Sequence, residues 1–469
     1  MTRARTFWTF AITSVALLMV TLDNLVVTTA LPVIRSDLGA TLEGLEWTVN
    51  AYTLTFAVLL LTGAALGDRF GRRRLFVIGL TVFTAASVAA ALSNSIESLI
   101  AARAIQGLGA AIVVPLTLTL LSAAVPAERR GLALGAWGAI GGLAVALGPV
   151  VGGAIVEGIE WHWIFWINVP IGIVLVPLAW LRLGESRGAS GSLDLVGLGL
   201  VSAGLLALVW GVIRGNPDGW TSTGVLASII CGLALLVAFV LWERRSRAPM
   251  LPLRFFRDRS FSLANVASLV MFFGLFGSVF LLSQFLQVVQ GYSPFQAGLR
   301  VLPWTLAPMF VAPIAGALSD RIGGGLLMGV GMALQAVGLA WLGLVITPSV
   351  PYEVMVVPFI ISGVGMGLFF APVANVVLSS VRPHEEGQAS GANNAIRELG
   401  GVFGVAVLAS IFSGFGSFAS PQAFVDGLRP AVIVGAAFVA FGAVAALAIP
   451  RRIGATSPDR AVASETAPA

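Results

Sequence analysis

The sequence predicts an all-α polytopic membrane protein with fourteen transmembrane helices, and three observations carry that reading. Of 469 residues, 57% are hydrophobic and only 10% are charged, where soluble chains carry about a quarter. The apolar residues fall into fourteen runs, each near the ~20 residues a helix needs to cross hydrocarbon with its backbone polar groups bonded internally. All 27 basic residues are Arg, and they cluster in alternate connections. Uniform apolarity, with no polar linker long enough to separate domains, excludes a string of soluble units.

The elements follow in order between turn signals. Run 8–32 comes after Arg3 and Arg5 and holds Asp23; it is long for a cleaved leader and leads straight into further spans, so it is read as retained. Runs 46–66 and 75–93 flank a charged hairpin. Run 98–121 carries Arg103, and run 132–155 is rich in Gly. Run 163–181 starts among Trp161, Trp163 and Trp166, which read as interface anchors. Runs 193–213 and 222–242 form an apolar pair. Then come 262–288, 296–317, 325–346, 354–380, 392–416 and 429–449.

Arg placement orients the chain, because cytoplasmic loops retain positive charge. Counted from an inside start, 21 Arg fall in the alternate loops and termini, while Arg35, Arg214, Arg300 and Arg429 lie near the other face. Both termini are therefore expected in the cytoplasm, with the chain in the cell (inner) membrane. The net charge of +5 is a topological signal, and no nucleic-acid partner is expected. Cys231 has no disulfide partner and reads as packing. Without Lys there is no P-loop, His162 and His384 lack neighbours at metal spacing, and no nucleophile pairs with an intramembrane acid. No cofactor, metal or enzymatic activity is expected.

The hairpin Ala64-Ala65-Leu66-Gly67-Asp68-Arg69-Phe70-Gly71-Arg72-Arg73-Arg74 returns as Gly316-Ala317-Leu318-Ser319-Asp320-Arg321-Ile322-Gly323. Asp320 follows Asp68 by 252 residues, about eight spans rather than six. Repeated halves with a midplane site between them are a transporter signature. The spacing implies a six-helix half at 1–182, two inserted helices and a linker at 183–260, a second six-helix half at 261–450, and a disordered cytoplasmic tail at 451–469.

Further motifs fall in order on fixed spans: Leu22-Asp23-Asn24-Leu25-Val26-Val27-Thr28-Thr29-Ala30-Leu31-Pro32 on the first, Arg103-Ala104-Ile105-Gln106-Gly107-Leu108-Gly109 on the fourth, and Gly148-Pro149-Val150-Val151-Gly152-Gly153 on the fifth. With the hairpin 64–74, they make the chain similar to the fourteen-helix drug:proton antiporters of the major facilitator superfamily. The segments Trp163–Pro170 and Gln287–Pro294 also resemble that branch. Three residues depart from its pattern: Ala64 stands for Gly, His162 for Arg, and Glu398 for Gln.

The resemblance implies a major facilitator fold and a monomeric exporter in the lipid bilayer that exchanges external protons for hydrophobic, cationic or amphipathic drug-like molecules. A proton-coupled symporter, or a lipid or metabolite exporter on the same fold, is the alternative. Asp23 lies ~22 Å from the inner end of its helix, where an acid must be neutralised or paired. Arg103 reaches a similar depth from the other side, so Asp23 is expected to be the proton site and Arg103 its modulator. Glu398 is either an auxiliary proton site or a snorkelling acid paired with Arg.

Asp68, Arg69, Gly71 and Arg72, with Asp320 and Arg321 as a partial second copy, are implied to gate the inner face. Gly148, Pro149, Gly152 and Gly153, with Gly138, Gly142 and Ala146, are expected to form a close seam; Pro149 is expected to bend it, and the antiporter resemblance implies that it blocks leak. Candidate cavity residues are Asn24, Trp47, Asn50, Tyr52, Gln106, Gln284, Phe285, Gln287, Asn375, Asn393 and Asn394, an aromatic and sparsely polar set suited to bulky amphipathic ligands.

Overall fold

The computed structural model describes residues 3–125, 127–187, 193–246, 249–382 and 385–450, apart from the side chains at 3, 4, 127–132, 134, 135 and 320. The tail 451–469, His384 and the Asp320 side chain thus lie outside the described residues. The helices are α1 (Arg3–Leu38), α2 (Leu42–Phe70), α3 (Arg72–Ala91), α4 (Ile96–Ala124), α5 (Ala127–Gly158), α6 (Trp163–Trp166), α7 (Asn168–Arg182), α8 (Leu195–Asp218), α9 (Thr223–Glu243), α10 (Arg259–Gln284), α11 (Pro294–Thr305), α12 (Ala307–Ile322), α13 (Gly324–Val345), α14 (Tyr352–Ser379), α15 (Glu386–Phe415) and α16 (Pro421–Leu447).

Among the described residues, fourteen helical stretches are long and apolar enough to cross a membrane, with α6–α7 forming one of them and α11–α12 another. An even number returns the chain to the face on which it began, the terminal face; the opposite one is the distal face.

Several boundaries differ from the sequence expectation, the fifth and thirteenth spans starting earlier, at Ala127 and Glu386, and three differences have a clear physical reason. The first span continues past Pro32 to Leu38, because a proline inside a helix removes one hydrogen bond without ending the remaining ladder. The tenth breaks at Leu306, between Pro303 and Pro308; Pro308 lacks an N–H and disfavours helix in the residue before it. The last begins at Pro421 rather than 429, because Ser420 caps it by accepting from Ala423 N at 3.1 Å and Pro421 suits the first turn.

In the first half, α1 packs on α5, and α4 on both α2 and α3; in the second, α10 packs on α15, and α13 on both α14 and α16. The pair α8–α9 leans on the molecule's flank: Leu205, Val209 and Ile213 meet Leu54 and Val58 of α2 and Val402 and Ala406 of α15. Helix α9 is the least covered span, so Cys231 is exposed rather than packed. Trp161 is likewise not an anchor: it is buried, and its indole N–H donates to Asp37 Oδ2 at 2.8 Å.

Candidate functional site

Asp23 lies at the meeting point of five helices and is fully buried. Its Oδ2 accepts from Arg103 Nη1 of α4. Its Oδ1 accepts from Asn168 Nδ2 of α7 at 2.7 Å and from Gln106 Nε2 at 3.2 Å. Arg103 also donates to Gln106 Oε1 at 2.9 Å and to the Thr48 carbonyl of α2 at 3.3 Å, and its guanidinium lies 4.2 Å over the Tyr52 ring. Gln106 reaches on to Ser87 Oγ of α3 at 2.8 Å.

The local sequence explains this convergence. Ser95 and Ser98 form a capping box that starts α4 two turns before Arg103. Arg103 and Gln106, three apart, share one face. Gly107 lets α2 close onto that face, since a Cβ there would stand 2.4 Å from the Tyr52 carbonyl. The carboxylate thus has three N–H donors. A buried pair of this kind is expensive to break from one side, by ~3–5 kcal/mol, because an uncompensated charge remains. Asn168, Ser87 and Thr48 were not assigned roles from sequence; Asn168, the lone polar side chain opening an apolar run, was the available signal.

The halves touch along the distal side. Helix α5 is the seam: within the first half a Cβ on Gly148 would meet Leu25 at 2.6 Å and one on Gly152 would meet Val26 at 2.7 Å, and across to the second half one on Gly153 would meet the Pro294 carbonyl at 2.3 Å. A Cβ on Gly298 of α11 would in turn meet the Pro149 carbonyl at 2.3 Å. Ala146 accepts from Thr305 Oγ1 at 3.2 Å. Gly138 and Gly142 fall outside the seam, with open space where a Cβ would go. Further ties are Ser283 Oγ to the Thr28 carbonyl (3.0 Å), Gln287 Nε2 to the Thr29 carbonyl (2.8 Å), and Arg35 stacked 3.5 Å over Phe418.

The terminal side is open. A cavity of ≈ 1210 Å³ lies there, its wall including Asp68, Arg72, Trp137, Glu243, Arg254 and Asn394. The inserted pair and its linker complete the wall: Thr62 Oγ1 donates to Met250 Sδ at 3.6 Å, and Glu243 accepts from Met250 N (3.3 Å) and Leu251 N (3.1 Å). Of the eleven candidate cavity residues, Asn394 lines this space.

Tyr52 and Gln106 belong to the Asp23 cluster, and Trp47 packs against the α8 cluster. Asn24, Asn50, Gln284, Phe285 and Gln287 sit in the distal half, where α1, α2 and α10 run to their distal ends. Asn393 is bonded to Asn265 (3.1 Å) and Ser268 (2.9 Å), and Asn375 is exposed.

At the hairpin, Arg72 Nε lies 2.7 Å from Asp68 Oδ1, while Arg73 and Arg74 lie 3.7 and 3.9 Å from Glu185. The turn is made by Gly71 at φ 111°, matched in the second copy by Gly323 at φ 94°. Each accepts the same cap, its N–H donating to the carbonyl four residues back at 3.0 Å. Arg69 stacks on Phe70, and Arg321 is exposed. The hairpin is tied to Glu185 and Ser186, just past α7 at the start of the linker to the inserted pair. Glu398 is buried on α15 and lies 3.5 Å from Arg397, so these neighbours do pair although their side chains leave the helix about 100° apart.

A sequence model described as the Major Facilitator Superfamily matches residues 13–405. The chain is 37% identical over 407 residues to the multidrug resistance protein Stp of Mycobacterium tuberculosis, covering 86% of this chain and 75% of that protein. It is 37% identical over 446 residues to the cephamycin export protein CmcT of Amycolatopsis lactamdurans, covering 94% and 92%. Among solved structures, a bacterial homolog to the human lysosomal transporter Spinster, in an inward-facing and unoccupied conformation, matches with a TM-score of 0.67 and 15% identity, over 95% of this chain and 97% of that one.

Proposed function

Because the chain belongs to the Major Facilitator Superfamily, we propose that this multi-pass membrane protein is a secondary active exporter exchanging external protons for hydrophobic, cationic or amphipathic drug-like molecules. The observation that carries this reading is the Asp23 carboxylate, buried at the centre of the first half and held by Arg103, Gln106 and Asn168. Its proton affinity depends on whether those donors stay in place, so a helix movement that withdraws Arg103 changes proton occupancy. That couples a proton to a conformation. The relatives named for multidrug resistance and cephamycin export support the direction and the cargo.

In this reading the terminal face is cytoplasmic, as the Arg distribution requires, and the cavity is the inward-facing vestibule of a monomer. The halves 1–182 and 261–450 rock about it. The α5 seam seals the distal side against leak, and the Asp68–Arg72 hairpin fastens to the second half when the vestibule closes. The Asp320–Arg321 copy and the Glu398 carboxyl are auxiliary. The test is reconstitution in liposomes with an imposed pH gradient and a panel of cationic dyes and neutral antibiotics. Uptake should follow the gradient, and proton release on drug binding should vanish in Asp23→Asn. Undiminished release in that variant would remove Asp23 from the mechanism.

A further inference from the structure

The closed distal half holds a second carboxyl that the Asp23 cluster does not use. Glu46 of α2 is 4% exposed and its Oε2 has no hydrogen-bond partner. One turn on and on the same face, Asn50 is fully buried with both Nδ2 and Oδ1 unpartnered. Other buried side-chain atoms in the same half share that state: Asn24 Oδ1, Ser278 Oγ and Gln284 Oε1. Buried polar groups normally find partners. Glu46 and Asn50 share the stretch of α2 where the halves are shut, and water reaches them when that side opens.

Among the described residues, the distal charges on helices packed against α2 are engaged elsewhere or exposed: Arg35 of α1 stacks on Phe418, Asp37 of α1 accepts from Trp161, and Glu97 of α4 is exposed. Arg103 of α4 is on Asp23 of α1, and Arg397 of α15 is on Glu398. Arg214 of α8 lies 3.3 Å from Glu43 and 3.4 Å from Asp218, and α3 carries charge only in its first turn, Arg72–Arg74. Glu43, a second acid, lies three residues before Glu46 on the same helix. An ionised Glu46 in the closed state would therefore be buried with no cation and beside a second acid, an arrangement proteins avoid.

We propose that Glu46 is a proton-operated latch: the distal face closes only once Glu46 has taken a proton from the distal side. The latch deepens the antiport reading and rests on it, since it explains why external protons are needed before the chain returns to its vestibule-open form. It is not a second carrier. Glu46 stays buried while the terminal side is open, so its proton goes back to the side it came from and the proton-to-drug ratio is untouched.

The full chain in nanodiscs tests this, with spin labels at Asn94→Cys and Ser349→Cys, exposed on the distal ends of the two halves, in a Cys231→Ser background. Distances are measured from about pH 6 to pH 8, across the range in which a buried carboxyl can titrate. With Asp23→Asn as the background, so that the Asp23 proton does not contribute, the closed-to-open ratio should fall at least ~5-fold with rising pH, while adding Glu46→Gln keeps it within ~2-fold. Glu46→Asp in that background, which keeps the carboxyl, should restore the fall. A fall that survives Glu46→Gln, a flat Glu46→Asp, or a flat background each overturns the latch. If instead the parent's drug transport ignores the pH gradient while Glu46→Gln still abolishes the fall, the antiport reading fails and the latch stands.

Discussion

Two Asp–Arg pairs in the same half make opposite use of one chemistry. Asp23 and Arg103 come from helices 80 residues apart and have no exposed side-chain surface. Asp68 and Arg72 are four residues apart across a turn at the mouth of the cavity, and their side chains are 34% and 19% exposed. Out of water, a pair must be complete or absent, because either partner alone is an uncompensated charge. In contact with water, a pair contributes ~0–1 kcal/mol and exchanges partners readily. The first arrangement suits a group whose protonation is to be tied to conformation, and the second suits a contact that must be made and broken on every cycle.

The sharpest break of that contrast is Arg103→Ala. It leaves Asp23 buried with only amide donors and should destabilise the purified protein by ~3–5 kcal/mol, seen as a large drop in thermal unfolding temperature. The double variant Asp23→Leu/Arg103→Leu should recover most of that stability while losing gradient-driven transport. Instability in the double variant equal to that of Arg103→Ala would mean that packing, rather than charge compensation, sets the cost.

A smaller effect is expected from Gly153→Leu, which drives a side chain into Pro294 and Phe295 of the other half and should cost the distal-closed state ~1–3 kcal/mol by overpacking. Labelling of distal-face cysteines should then rise, whereas Gly142→Ala, with open space around it, should leave labelling unchanged. Next comes Asn168→Ala, which removes a 2.7 Å bond to Asp23 Oδ1 and should cost ~1–3 kcal/mol; Asn168→Asp should cost more, by facing Asp23 with a second acid.

How far these features could be read from the sequence follows from what each depends on. The span count depends on run length and Arg position, which are one-dimensional, and the fourteen stretches emerged with ends displaced mainly where proline or a cap intervened. The Asp23–Arg103 contact depends on depth alone: two intramembrane charges of opposite sign at one level leave little choice. Asn168 and Ser87 depend on which way α3 and α7 turn, and with apolar residues on all sides neither helix has a stripe that fixes its rotation. Glu46 was passed over because it lies next to Glu43 and Trp47 at a helix start, where an acid ordinarily faces water. Which polar side chains share one open space is not written in their depth: Asn394 lines the cavity, while Asn24, Asn50 and Gln284 bury polar atoms where the halves are shut.

The smallest effect on stability falls on the exposed pair, and there the comparison is tested most finely. Asp68→Asn removes a bond of 2.7 Å that already competes with water, so unfolding should shift by no more than ~1 kcal/mol and the difference should shrink further in high salt. Its effect on transport should be larger than its effect on stability. In the vestibule-open arrangement the hairpin is held by Glu185 and Ser186 at the start of the linker, so Asp68 contributes little there, and its loss should be felt in the arrangement where the vestibule is shut. A variant with near-parent stability and slowed turnover at saturating substrate would place the contribution of Asp68 in the closed vestibule. Parent-like turnover would reduce the pair to a local brace on the Gly71 turn.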